Sequence, residues 1–326
     1  MNQQINLLKK KANTLPSTPG IYLMKDQHGD VVYVGKAKSL KSRVISYFRK
    51  NQQHTKKTRR MIYNIADFDT INVDTELDAL LLECKLIQQI HPMYNRQMND
   101  SANYRYLDLS QRDFHLQEKR TPASLGPFRR PKQLTLIFQL LKETYLLDGI
   151  NHVTKLRLEK QLPIIKTRSD IEKWQEINHF FAGEPTDFFD LNQQRLAYLA
   201  DQWLFEQAHT LRQELVAANN FYQEIKRIND FWHTPNRILS VPIFLPDTTE
   251  IRAVKYYQIH FGQIVHSKVC LANEVFTPIA TEHDFRPLTA NDLDPVCILL
   301  HYQQRLLADK GLKVDATLKK GTKSDQ

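Results

Sequence analysis

The stretch PGIYLMKDQHGDVVYVGKAKSLKSRVISYF, residues 19–48, decides the fold of the amino-terminal third. GIYLMK and VVYVG are short runs rich in β-branched and aromatic residues, and DQHGD between them is turn material, so 20–35 predicts a β-hairpin. A four-residue loop at 27–30 places Tyr22, Met24, Tyr33 and Gly35 on one face and Ile21, Leu23, Val32 and Val34 on the other. A five-residue loop would separate the two tyrosines, and the sequence leaves both registers open. Ser39 occupies the N-cap position of a helix over 40–50. In that helix Leu40, Val44 and Phe48 recur every four residues and point inward, while Arg43 and Tyr47, also four apart, share a neighbouring face.

Working outward, 54–66 predicts a second helix, basic at its start, and 68–73 a third strand. The run 75–90 predicts a helix ending before His91-Pro92. That last helix contains an anomaly. At about 100° per residue, Glu83 falls roughly 40° from Ala79, inside the arc spanned by Ala79, Leu86, Ile87 and Ile90. An unpaired carboxylate on a buried face costs several kcal/mol. Glu83 therefore meets a cation, a hydrogen-bond cluster or a metal, or else titrates to neutral; the two main readings are an ion pair with a basic residue of the preceding helix and a divalent metal at a cleft.

Charge is concentrated in the same region. The 326-residue chain carries a net +9, and residues 1–100 hold sixteen basic against nine acidic side chains. Between Asp30 and Asp67 there is no acid, and ten basic residues fill the gap: Lys36, Lys38, Lys41, Arg43, Arg49, Lys50, Lys56, Lys57, Arg59 and Arg60. A one-signed block repels itself unless it is solvated or faces a polyanion, of which phosphate backbones are the usual case. No strongly apolar helix face accompanies it, which argues against a membrane surface.

The remainder is ordinary globular sequence, 41% hydrophobic and 25% charged, which excludes wholesale disorder. Cys84, Cys270 and Cys297 are too scattered for a disulfide framework or a C-x-x-C metal site. With no apolar leader at the start and no run of about 20 apolar residues, a cytoplasmic protein without membrane contact is expected. Residues 101–130 read as irregular with short strands near 104–109. Helices are expected at 134–147 and 170–182, with a basic connector at 151–169. The segment 191–232 reads as one or two long helices with a break near 203–206. Strands follow at 238–243, then a hairpin over 252–271 turning at Phe261-Gly262, a helix at 291–310 and a disordered tail at 313–326.

Pro19-Gly20-Ile21-Tyr22, Tyr33-Val34-Gly35-Lys36-Ala37, Leu40-Lys41-Ser42-Arg43-Val44, Tyr47-Phe48, the run Ala79-Leu80-Leu81-Leu82-Glu83 and Pro92-Met93-Tyr94-Asn95 together resemble the GIY-YIG nucleases. The likeness is to the UvrC family, specifically its amino-terminal half. It extends through Gly126-Pro127-Phe128 and Phe180-Phe181-Ala182-Gly183 to a UVR-like segment around 204–212, and covers roughly residues 12–220. The family's cysteine cluster is missing between about 147 and 170, and His209 and Gln213 stand where small and acidic residues are usual. The layout resembles the shorter homologue Cho.

The resemblance implies an α+β protein. Residues 1–100 would be a GIY-YIG domain with a mixed three-stranded sheet and flanking helices, and 101–190 a connector region. Residues 191–232 would form a UVR-like helical hairpin, 233–312 a small α+β segment of unassigned role, and 313–326 a tail. It also implies a metal-dependent DNA endonuclease incising damaged DNA in nucleotide excision repair with UvrB. The alternatives are a stand-alone nuclease for branched or foreign DNA and a non-catalytic DNA-binding module. Carried over residue by residue, Glu83 would hold one Mg²⁺ or Mn²⁺, and Tyr22 would be general base, its phenol acidified by Lys36 and the metal's water shell. Arg43 would neutralise the scissile phosphate, Tyr33 and Tyr47 would orient water and phosphate, and Asn95 would tie the helix end to the site. Lys38, Lys41, Arg49, Lys50, Lys56, Lys57, Arg59 and Arg60 would grip double-stranded DNA. Phe205, Glu206, Ala208, Leu211 and Arg212, within 191–220, would meet UvrB. No iron–sulfur cluster is implied.

Overall fold

The structure is a computed structural model that describes residues 2–49, 54–95, 98, 104–129, 131–245, 248, 250–281 and 284–310. The chain forms two compact units. The first comprises residues 1–101, 233–286 and 291–326, and the second 102–232 and 287–290.

In the first unit the order is α1 (Asn2–Asn13), β1 (Gly20–Lys25), β2 (Val31–Ala37), α2 (Leu40–Tyr47), α3 (Lys56–Asn64), β3 (Asp67–Asn72) and α4 (Glu76–Ile90). The sheet order is β2-β1-β3. Tyr22 pairs with Gly35 and Met24 with Tyr33, so the register is the one that puts both tyrosines on one face. All three strands pair antiparallel, not in the mixed sheet expected: β2 returns through a tight hairpin, and β3 re-enters on the free side of β1 opposed to it. Side-chain alternation then sorts two cores. Tyr22, Met24 and Phe68 pack with Leu8, Leu40, Val44, Tyr47 and Met61 from α1–α3. Ile21 and Val34 face the other way, onto Ala79 and Ile87 of α4.

The helix ends follow local chemistry. Thr75 and Asp78 form a reciprocal capping box that starts α4, and Thr55 caps Thr58 N–H at the start of α3. Ser39 holds the N-cap position of α2 but makes no side-chain cap hydrogen bond.

The rest of this unit is an antiparallel sheet β7-β8-β9 and the helix α10 (Ala290–Lys310), with β7 at Arg237–Phe244, β8 at Ile251–His260 and β9 at Gln263–Cys270. The turn falls at Phe261-Gly262, as the sequence predicts. The fully buried Tyr257 points its hydroxyl at the start of α4, 2.6 Å from the Thr75 hydroxyl and 3.0 Å from Asp78. Lys255 adds ion pairs of 2.8 Å to Asp74 and 3.0 Å to Asp78. Gln88 of α4 reaches the Asn291 carbonyl while Glu76 meets Arg305, so α10 runs antiparallel to α4.

The second unit holds an antiparallel sheet β5-β4-β6 and the helices α5–α9. The strands β4, β5 and β6 span Arg105–Asp108, His115–Gln117 and Leu125–Phe128. The helices are α5 (Pro131–Tyr145), α6 (His152–Gln161), α7 (Asp170–Ala182), α8 (Phe188–Asp201) and α9 (Phe205–Trp232). Its core is aromatic, with Phe128, Phe180, Phe181, Phe188 and Phe221 in mutual ring contact. Gly183 ends α7 at φ 70°, and a Cβ there would lie 2.8 Å from the Lys226 backbone, so α7 packs against α9 only with glycine at that corner. The expected connector 151–169 is instead α6 and a 3₁₀ helix at Pro163–Thr167, anchored by buried Leu158, Leu162 and Ile165. The break between α8 and α9 falls where expected.

Among the described residues, no helix is long and apolar enough to cross a membrane. Residues 313–326 and Lys50 lie outside the described residues.

Candidate active site

The site is built around the open edge of β2. A strand edge exposes alternate N–H and C=O groups that need partners. Here Val32 C=O accepts from Tyr94 N–H at 2.9 Å. The Asn95 amide accepts from Val34 N–H at 3.0 Å and donates to Val34 C=O at 2.9 Å. Lys36 N–H donates to the Glu83 carboxylate at 3.1 Å. Asn95 thus binds the strand that carries Tyr33, Gly35 and Lys36.

On the other face of the sheet the fully buried Tyr22 hydroxyl lies 2.8 Å from the Tyr47 hydroxyl and accepts from Arg43 Nε at 3.3 Å. The Arg43 guanidinium stacks 5.2 Å over the Tyr47 ring, and the Tyr22 and Tyr33 rings sit 6.1 Å apart. Gly35 lies directly under this group. A Cβ there would overlap the Tyr22 phenol and come within 2.8 Å of the Tyr33 ring. The glycine is required because the two tyrosines close over the strand at that point.

Tyr22, Tyr33, Lys36, Arg43 and Glu83 all line one cleft of about 610 Å³. Burial pushes the Glu83 carboxyl above its ordinary range, against the pull of Lys36 and Arg43. Among the described residues no basic group lies within ion-pair distance of Glu83, so the ion-pair explanation of its inward position is replaced by an opening to the cleft.

The tyrosines depart from expectation. Burial, followed by Tyr47 and Tyr33, pushes the Tyr22 phenol well above its ordinary value, and Arg43 is the group that pulls it down. The Lys36 ammonium lies 3.9 Å from Glu76. Burial also pushes the Tyr33 phenol up to about 12. The direction at Tyr22 is opposite to the acidified phenol that the resemblance implies: the chain's own residues push Tyr22 up, and the cation's share of that expectation is a separate matter.

A smaller recess of about 310 Å³ shares Tyr33, Arg43 and Ser46 with the cleft and continues past Tyr47 to His54, Lys57 and Thr58. His54 stacks on Tyr47 with ring centroids 6.3 Å apart. Lys57 faces this recess, whereas Lys56, Arg59 and Arg60 are exposed on α3, Arg49 is exposed after α2 and Lys41 is half-buried. Lys38 is on the cleft rim, 3.3 Å from Glu76. Glu76 and His54 escaped the sequence reading. Glu76 was findable from its seven-residue spacing to Glu83, two turns along the same helix face.

The UVR-like residues divide. Phe205, Glu206 and Arg212 are exposed and Ala208 is partly buried, but Leu211 is 4% exposed inside the core of the second unit. The expectation that Leu211 meets a partner is corrected, because the apolar stripe of α9 is consumed by its own unit.

A family model described as the UvrC-like GIY-YIG domain matches residues 18–96, the segment that supplies every one of these cleft and edge residues. Residues 18–96 are a GIY-YIG domain of the UvrC type. UvrABC system protein C of Caldicellulosiruptor saccharolyticus is 31% identical over 242 residues, 68% of this chain and 41% of that protein. Its counterpart in Caldanaerobacter subterraneus is 46% identical over 103 residues, 32% of this chain and 17% of the relative. The chain thus spans about two fifths of the length of the Caldicellulosiruptor relative. The magnesium-bound GIY-YIG domain of UvrC from Thermotoga maritima is 35% identical, covering 29% of this chain and all of that domain, with a TM-score of 0.26.

The GIY-YIG domain carries the basic block on α2, α3 and the segment after α2. If that block grips phosphates, log affinity for DNA falls with log salt by about 0.9 per phosphate neutralised. Replacing Lys56, Lys57, Arg59 and Arg60 with Ala is expected to flatten that slope by two to four such steps, about 0.9 each. A salt titration of duplex binding by fluorescence anisotropy measures it, and an unchanged slope places the block in solvent.

Proposed function

We propose that this chain is a divalent-cation-dependent DNA endonuclease that hydrolyses a phosphodiester bond and incises damaged DNA in nucleotide excision repair with UvrB. The observation that carries this reading is the convergence of Tyr22, Arg43, Lys36 and Glu83 on one cleft beside an acid-free basic block. Water adds to phosphorus, the P–O3′ bond breaks and a proton passes from the water to the leaving oxygen. The protein must accept the first proton, neutralise the phosphoryl oxygens and orient the water. Arg43 offers a fork of donors to the phosphate. Tyr22, as phenolate, would accept the proton from water, a role supported by Arg43, whose charge favours the ionised form. Tyr33 and Tyr47 fix water and phosphate around it.

The donor set fits a hard cation held mostly through water. Glu83 is a single carboxylate raised by burial and turned to the cleft, and no group of three His, Cys, Asp or Glu that could hold a metal occurs among the described residues. One carboxylate with several retained waters suits Mg²⁺ or Mn²⁺ rather than zinc. When bound, the ion supplies Lewis-acid polarisation of the phosphate and stabilises the leaving oxygen.

A stand-alone nuclease acting on branched DNA is the second reading, favoured by the burial of Leu211 and by His209 and Gln213 on α9. A pull-down with UvrB separates the two. Binding at micromolar concentration that is lost with Phe205→Ala supports the repair reading; no binding supports the stand-alone one.

The chain is also proposed to hold no iron–sulfur cluster. Purified protein is expected to be colourless and its DNA cutting indifferent to iron chelators; a visible charge-transfer band contradicts this.

A further inference from the structure

The first turns of α4 present competing demands. Asp74, Glu76 and Asp78 suit a helix N-terminus, where negative charge is favourable. The same stretch borders a cleft that must admit phosphates, where negative charge is repulsive. Glu76 lies on the cleft wall with a side chain 16% exposed. Lys38 sits 3.3 Å and Lys36 3.9 Å from its oxygens. Left alone with them, Glu76 would hold both lysines and place an anion in the path of the substrate.

A third cation shares this carboxylate with the two lysines and weakens its hold on them. Arg305 of α10 takes both carboxylate oxygens, through Nη2 at 2.8 Å and Nη1 at 3.4 Å. Burial pushes the Glu76 carboxyl up, and Arg305 and Lys38 together outweigh it and hold it below the ordinary range, so Glu76 is an anion that needs neutralising. Arg305 belongs to a segment with no basic surplus: residues 233–310 hold seven Lys or Arg against eight Asp or Glu. That segment is not itself a phosphate-binding surface by charge. Two of its cations, Lys255 and Arg305, are turned onto the three carboxylates at the head of α4.

We propose that Arg305 is a positioning residue for the nuclease cleft: by neutralising Glu76 it leaves Lys36 and Lys38 available to the DNA phosphates. This assigns a role to the otherwise unexplained 233–310 segment and rests on the phosphate-binding reading of the cleft. The Arg305–Glu76 pair is half-exposed, so its worth to stability is small. Its effect belongs in substrate affinity.

The test uses the full chain. Arg305→Ala is expected to raise KM for duplex cutting in Mg²⁺ about tenfold, with kcat within about twofold. Arg305→Lys recovers most of the loss, and adding Glu76→Gln to Arg305→Ala restores the parent KM. The same series read as DNA affinity in EDTA gives the same order, so the proposal is tested even if the parent does not cut. An Arg305→Ala protein with parental KM and affinity overturns it. So does a weakened Arg305→Ala that Glu76→Gln fails to rescue, because Arg305 then acts through its packing over Tyr302, 4.7 Å away.

Discussion

Glu83→Gln is expected to cut DNA at least about a thousandfold more slowly than the parent, a loss of roughly 4 kcal/mol in transition-state stabilisation, while duplex affinity stays within about twofold. The substitution keeps shape and keeps an acceptor for Lys36 N–H, but it removes the charge that would hold the cation. Stability separates this from damage to the fold. Burial raises the Glu83 carboxyl in the folded state above its unfolded value, so its ionisation works against folding. That handicap is absent at low pH and grows as pH rises through the folded value. Glu83→Gln removes it. The variant is expected to melt no lower than the parent at neutral pH without metal, with the difference vanishing below about pH 4, where the unfolded carboxylate is protonated too. Mg²⁺ should raise the melting temperature of the parent and not of the variant. Equal loss of cutting and of DNA binding would count against the metal role.

Tyr22→Phe is expected to slow cutting by about 10²–10⁴, the usual worth of a positioned general base. The ring remains, and removing the hydroxyl costs Tyr47 and Arg43 one hydrogen-bond partner, about 1 kcal/mol of stability. The pH profile carries more information. Because burial and the neighbouring phenols push Tyr22 up, its ionised fraction near neutrality is small. If phenolate is the base, the parent rate should keep rising with pH up to and beyond the ordinary phenol value of about 10. Tyr47→Phe removes a group that raises Tyr22, so it should move that rise to lower pH whatever its effect on the absolute rate. Lys36→Ala should leave the position of the rise unchanged, since Lys36 faces Glu76. A Tyr22→Phe protein that cuts at the parental rate would remove Tyr22 from the chemistry.

The parts of the site that were legible from sequence are those fixed by local periodicity. A period of two placed Tyr22 and Tyr33 on one strand face, and a spacing of four placed Arg43 beside Tyr47. The helical angle alone marked Glu83 as inward-facing. What sequence did not give depends on long-range packing. Asn95 completes a strand edge 61 residues away in sequence, and Arg305 reaches Glu76 across 229. The direction of the Tyr22 shift was misread because a phenol's burial is a property of the assembled core, where α1–α3 close over it. The helix α6 was missed because its apolar positions are too sparse to give a period; Leu158, Leu162 and Ile165 are buried by tertiary neighbours. Leu211 was misassigned for the opposite reason: one apolar stripe on a helix looks the same whether it faces its own core or a partner.

Cutting of DNA at the cleft can be measured directly. The direct measurement is incubation of the full chain with end-labelled intact, nicked, branched and damaged duplexes, in Mg²⁺, in Mn²⁺ and in EDTA, with and without UvrB. Strand scission in either cation on at least one substrate, absent in EDTA and absent with Glu83→Gln, is the predicted result. Binding to these duplexes with no scission in either cation, with or without UvrB, would contradict the account and leave a DNA-binding module without catalysis.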